Sequence, residues 1–178
     1  PFGGFFQQDA SYDLVIGNPP YKKISADSPE AIHMKEVCYG APNLYFLFMA
    51  MSVQQLKDDG QLVYIIPRSW TSGAYFECFR KWLFARTVIE HIHLFGSRDK
   101  VFNGESVLQE TMIIKIRKTR QKPKDIKMTF SETSDFTNVS AIAVPYDTVV
   151  AKNSYVYLVT NQKEIECLNS LKSLHSTL

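Results

Sequence analysis

Leu14, Val15 and Ile16 run without interruption into Gly17-Asn18-Pro19-Pro20-Tyr21. The run predicts a short buried strand. Its end is stiff, because Pro19 and Pro20 cannot continue a sheet ladder and they fix the path of the chain. Gly17 allows a close backbone approach just before that point. The next pattern is helical. Leu44, Leu47, Phe48, Met51 and Leu56 approximate one face, widened by Phe46 and Met49, so a helix is predicted over residues 43–57 with Asn43 as its cap. Asp58-Asp59-Gly60 ends it, and residues 61–67 read as a strand buried on both faces. A second helix is predicted over residues 70–86, where Tyr75, Phe76, Phe79, Trp82 and Leu83 recur at helical spacing. Residues 88–95 and 110–118 read as strands. In the second, Met112, Ile114 and Ile116 alternate with Ile113, Lys115 and Arg117.

Strand, helix, glycine turn and strand in that order make half of a crossover, so the predicted class is α/β. The last two strands are expected to pair antiparallel at the sheet edge. Residues 22–42 form a polar connection after the proline tip, placed to lie over whatever the tip binds. Residues 115–127 carry Lys115, Arg117, Lys118, Arg120, Lys122, Lys124 and Lys127 against Asp125 alone. A solvated linker and a strand leading toward phosphates both fit this run. With Pro123 it sets a predicted boundary, giving units of residues 1–119 and 120–178. Beyond it, residues 126–130 and 155–159 read as short strands. Asn161 is expected to cap a final helix through Leu174 with Ile165, Leu168 and Leu171 as its stripe.

Composition changes this picture little. A chain of 178 residues suffices for one domain core, and a net charge of +2 permits a nucleic-acid partner without demanding one. Cys38, Cys78 and Cys167 have neither metal-site nor disulfide spacing, which suits reduced thiols. His91 and His93 share one face of a strand but lack a third ligand, so no metal is expected. No apolar run reaches membrane-spanning length. Gly3-Gly4 has no strand before it and no helix after it, and so is not a cofactor loop. A sheet cannot be built on one solitary parallel strand, and so the chain reads as part of a longer protein.

The Asn18-Pro19-Pro20-Tyr21 tip resembles the motif of amino-group methyltransferases that use S-adenosylmethionine. It is most similar to N6-adenine DNA methyltransferases of restriction–modification systems, in particular the type IIG-like fused enzymes. Asn43-Leu44-Tyr45, Gly60, Leu62-Val63, Ile66-Pro67 and Ser69-Trp70 follow it in the order of that family. The resemblance spans residues 12 to about 118 and implies the C-terminal half of a Rossmann-like sheet with a hairpin edge, followed by a small α+β segment. The cofactor pocket would lie mostly upstream.

The resemblance also assigns roles. Asn18 and the Pro19 carbonyl would accept the two amine hydrogens, with Pro20 stiffening the tip. Tyr21 and Phe102 would stack on an adenine swung out of double-stranded DNA. Phe48 would contact the cofactor's adenine ring, although its periodicity alone fits a core residue. Lys22, Lys23, Lys118 and Arg120 are candidates for the DNA backbone, and solvated lysines fit equally well at the first two. Implied partners are DNA and the remaining domains of the parent protein, in a prokaryotic cytoplasm with no membrane and no metal. Two other readings stay open: a methyltransferase acting on the glutamine amide of release factors, and a non-catalytic nucleic-acid-binding or docking module. The aromatic at Phe102, the basic run and the region after residue 125 favour DNA.

Overall fold

The computed structural model describes residues 11–96, 110–133 and 136–175, with side chains described as far as Leu171. Strand β1 (Tyr12–Gly17) forms where the apolar run predicts it, but it is not buried: it is an outer strand among the described residues, and Leu14 and Ile16 are largely exposed. Strand β2 (Leu56–Pro67) lies parallel to it, with Leu14 opposite Gln61 and Gly17 opposite Tyr64. The crossover between them contains helices α1 (Pro29–His33) and α2 (Leu44–Gln55). Asn43 caps α2 as expected, its side chain accepting from the Tyr45 N–H at 3.3 Å. Strands β3 (Val88–Phe95) and β4 (Thr111–Arg117) pair antiparallel, with Ile92 opposite Ile114.

The rest of the sheet departs from expectation. Its order is β1-β2-β4-β3-β5-β6, where β5 is Asp125–Ser131 and β6 is Ser140–Pro145. The β3–β4 pair is therefore internal. β5 lies parallel on β3, with Ile92 opposite Met128, and β6 lies antiparallel on β5. The boundary expected near residue 119 falls on the short link between β4 and β5, two strands of one sheet. Helix α4 (Tyr146–Val149) follows β6. Residues 155–159 form no strand and contribute only a bridge between Val150 and Val156. Helix α5 (Gln162–His175) has the expected cap, Asn161 Oδ1 accepting from the Glu164 N–H at 3.1 Å. Ile165 is buried and Leu168 packs partly buried against the core, but Leu171 is 53% exposed, so the cover of the α5 stripe thins along the helix.

Two element boundaries moved for physical reasons. α2 stops at Gln55 because Leu56 is already in the core, and the Lys118 ammonium binds the carbonyls of Gln54 (3.3 Å) and Leu56 at the helix end. β2 thus starts at Leu56 and bulges, its register jumping from Tyr12–Leu56 to Leu14–Gln61 with Asp59 at φ 61°. The helix predicted from Trp70 begins only at α3 (Glu77–Phe84). Before it come two 3₁₀ turns, Arg68–Thr71 and Ala74–Phe76. The fully buried Arg80 takes the Trp70 carbonyl at 2.8 Å and the Gly73 carbonyl at 2.7 Å, so these groups do not serve a continuous helix.

The core lies on one side of the sheet. Tyr45, Phe46, Met49, Ala50 and Val53 of α2 pack with Leu62, Tyr64 and Ile66 of β2, Ile114 and Ile116 of β4, and Phe79 and Leu83 of α3. All are at most 5% exposed, and each large one contributes roughly 1.5–3 kcal/mol by leaving water. The rigid slab that results fixes the end of β1.

Candidate active site at the end of the first strand

Because β1 and β2 are parallel, both end on the same side of the sheet. That is where open α/β sheets place their ligands. Asn18 stands there exposed, Pro19 is buried beneath it and Pro20 is exposed. The next turn is tied down by the bonds Ile24 N–H to the Pro42 carbonyl and Leu44 N–H to the Lys22 carbonyl, both 2.8 Å. The tip is thus clamped to the start of α2.

Tyr21 folds back across the tip. Its hydroxyl lies 2.9 Å from Asn18 Oδ1 and 2.9 Å from the Ile65 carbonyl oxygen. Ile65 is one residue past the end of the β1 register, so no β1 residue stands opposite it. Burial pushes the Tyr21 phenol up to about 12, so the hydroxyl keeps its proton near neutrality. The Tyr21 ring stands edge-on to Tyr45 with centroids 6.3 Å apart. Tyr45, also raised by burial, reaches Ser69 Oγ at 3.3 Å. Behind Tyr45 the rings of Phe46, Phe76 and Phe79 continue an aromatic stack into the core. Phe48 is partly buried on the same helix and packs against the core.

Sequence reasoning missed Arg68. It sits at the same sheet end, just after β2, and binds the Phe95 carbonyl, the Thr111 carbonyl at 3.2 Å and Glu110 at 3.4 Å. It therefore ties the end of β3 to the start of β4. Its main partners are backbone carbonyls, which leave no residue signature.

Residues 2–102 match the family described as Eco57I restriction-modification methylase. The chain belongs to this family. The type II methyltransferase M.PstI of Providencia stuartii is 36% identical over 94% of the chain, and M.BsuBI of Bacillus subtilis is 37% identical over 84%. The chain spans about a third of the length of these relatives, 34% and 30% respectively. The fold is similar to the crystal structure of a Listeria monocytogenes protein assigned to the class I S-adenosylmethionine-dependent methyltransferases. The TM-score is 0.57 at 20% identity, covering 74% of this chain and 39% of that one.

In this Eco57I-type chain the predicted site residues divide into two groups. Asn18, Pro19, Pro20, Tyr21, Lys22 and Lys23 form one tip, with both lysines exposed. Phe102 lies outside the described residues. Lys118 and Arg120 lie at the opposite end, since Arg117 pairs with Gln61 and Val88. The basic run is also largely committed. Lys115 and Arg117 bind Glu90, Lys118 caps α2, and Lys122 binds Asp147 at 3.2 Å. Arg120 and Lys122 line an open cleft of about 1320 Å³ beside Tyr146 and Tyr157, away from the tip. His91 and His93 are held by Thr129 and Ser131. Among the described residues no group of three His, Cys, Asp or Glu could hold a metal, and no helix is long and apolar enough to cross a membrane.

Proposed function

We propose that this chain is the amine-gripping part of a site-specific DNA methyltransferase that methylates N6 of adenine in double-stranded DNA. The observation that carries the reading is the exposed Asn18 amide on a stiff tip at the end of a parallel strand, in an Eco57I-type chain. The exocyclic amine of adenine is a weak nucleophile because its lone pair is delocalised into the ring. Asn18 Oδ1 and the Pro19 carbonyl accept its two hydrogens, which draws the nitrogen toward tetrahedral geometry and concentrates the lone pair. The gain is positional and electrostatic. The target base must leave the duplex to reach this tip, and Tyr21 and Phe102 receive its two faces. Lys22 and Lys23 meet nearby phosphates.

S-adenosylmethionine supplies an electrophilic methyl group when bound. The half-buried Phe48 ring fits one face of its purine. Partners for its ribose and amino-acid ends come from the remaining domains of the protein.

Asn18→Ala in the full-length protein tests the reading. It should slow single-turnover methyl transfer at least about a hundredfold, as loss of an oxyanion-type donor does, and leave DNA affinity nearly unchanged. Transfer within tenfold of wild type removes Asn18 from the mechanism.

A further inference from the structure

The Tyr21 hydroxyl stands 2.9 Å from two oxygens, Asn18 Oδ1 and the Ile65 carbonyl. It carries one proton and so can donate to only one of them. If it donates to Asn18, the Ile65 oxygen gains nothing from the contact. If it donates to Ile65, two lone-pair oxygens face each other at Asn18. Half a turn of the Asn18 amide about its Cβ–Cγ bond removes the conflict. The amide is nearly symmetric in shape, so the turn needs no other movement.

We propose that Tyr21 acts as a positioning residue for Asn18 by such a relay. Asn18 Nδ2–H donates to Tyr21 Oη, and Tyr21 O–H donates to the Ile65 carbonyl. The strand backbone thereby dictates which way the amide points. Its nitrogen faces Tyr21, and its oxygen faces the open side where the amine arrives. The role is separate from any stacking by the Tyr21 ring, and it rests on the reading of Asn18 as the amine acceptor. Three features support it. The Ile65 carbonyl is fixed in a central strand. Tyr21 is held edge-on by the buried Tyr45. Asn18 is exposed, so its amide is free to turn.

Tyr21→Phe separates the hydroxyl from the ring. It is compared with wild type and Asn18→Ala in the full-length protein, with 2-aminopurine at the target position reporting base displacement. The relay predicts that Tyr21→Phe slows single-turnover transfer about tenfold, the equivalent of one oriented hydrogen bond. DNA affinity, the 2-aminopurine signal and the thermal midpoint should stay close to wild type. If Tyr21→Phe transfers at the wild-type rate while Asn18→Ala is crippled, the relay is wrong and the role of Asn18 stands. If both transfer at the wild-type rate, the reading of Asn18 fails as well. If Tyr21→Phe loses the 2-aminopurine signal or DNA affinity, the hydroxyl serves the base or the fold, and the relay is again rejected.

Discussion

A Cβ placed on Gly17 would stand 3.0 Å from Cε1 of Tyr64. The ring cannot retreat, because Tyr64 is buried and its hydroxyl is 2.7 Å from Ser52 Oγ. β1 itself must give way, and Asn18 moves with it. Gly17→Ala should cost about 1–3 kcal/mol, as overpacking does, and should reduce methyl transfer more than folding alone explains. Urea denaturation alongside transfer per folded molecule checks this. An unchanged midpoint would show that the strand has slack.

Lys118 is assigned to the end of α2, where its ammonium meets the carbonyls of Gln54 and Leu56. Lys118→Met keeps the stem and removes the charge. It should cost about 1 kcal/mol and leave the salt dependence of DNA binding unchanged. Lys22→Ala and Lys23→Ala should do the reverse. Each should lower the slope of log affinity against log salt by about one and leave stability alone. A lowered slope for Lys118→Met would return that lysine to the DNA.

His91 and His93 make stability depend on pH. Burial holds both below the ordinary 6.5, aided at His91 by Lys127, His93 and Lys115 and at His93 by Arg68. Unfolding releases them to their ordinary value. Their contribution is complete above about 6.5 and is lost as pH falls through the lower folded values, because the unfolded chain binds the protons first. At Glu90 burial acts upward, but bonds from Arg117 and Lys115 outweigh it and hold the carboxyl below 4.5, so its loss belongs to a more acid window. The thermal midpoint should therefore fall as the pH drops below about 6.5. The His91→Gln/His93→Gln double variant should flatten that slope. An equal slope in wild type and variant would contradict the assignment.

α2 and the inner strands were legible because burial writes itself into residue type, whereas β1 was legible by its apolar run although it is largely exposed. The apolar runs at Leu14–Ile16 and Leu62–Ile66 form the parallel pair, and Gly17 marks a close approach whose object is Tyr64. What escaped depends on groups without residue identity. The carbonyls of Ile65, Phe95 and Thr111, which orient Tyr21 and Arg68, belong to residues named for other reasons. The break before α3 was hidden because Arg80 falls on a helical repeat while serving carbonyls outside the helix. β6 escaped because only Val144 is buried in it, and a strand with one buried side chain shows little alternation. The site was legible as a tip. Its basic residues were not, because sequence order alone does not tell which end of the sheet a lysine occupies.

β1 is an outer strand among the described residues, and Tyr12, Leu14 and Ile16 on one of its faces are 45%, 50% and 70% exposed. An uncovered apolar edge recruits other strands. The chain on its own should therefore self-associate in sedimentation velocity, and Ile16→Lys should make it monomeric. A monomeric wild-type chain at high concentration would show that the edge is harmless.

The chemical identity of the product tests the central claim most directly. Full-length protein is incubated with methyl-labelled S-adenosylmethionine and double-stranded DNA containing its site, and the DNA is digested to nucleosides for mass spectrometry. Label is expected in N6-methyl-2′-deoxyadenosine, at wild-type level with intact Asn18 and near background with Asn18→Ala. Label in a methylated cytosine, or on a glutamine amide of a protein with none in DNA, would contradict it.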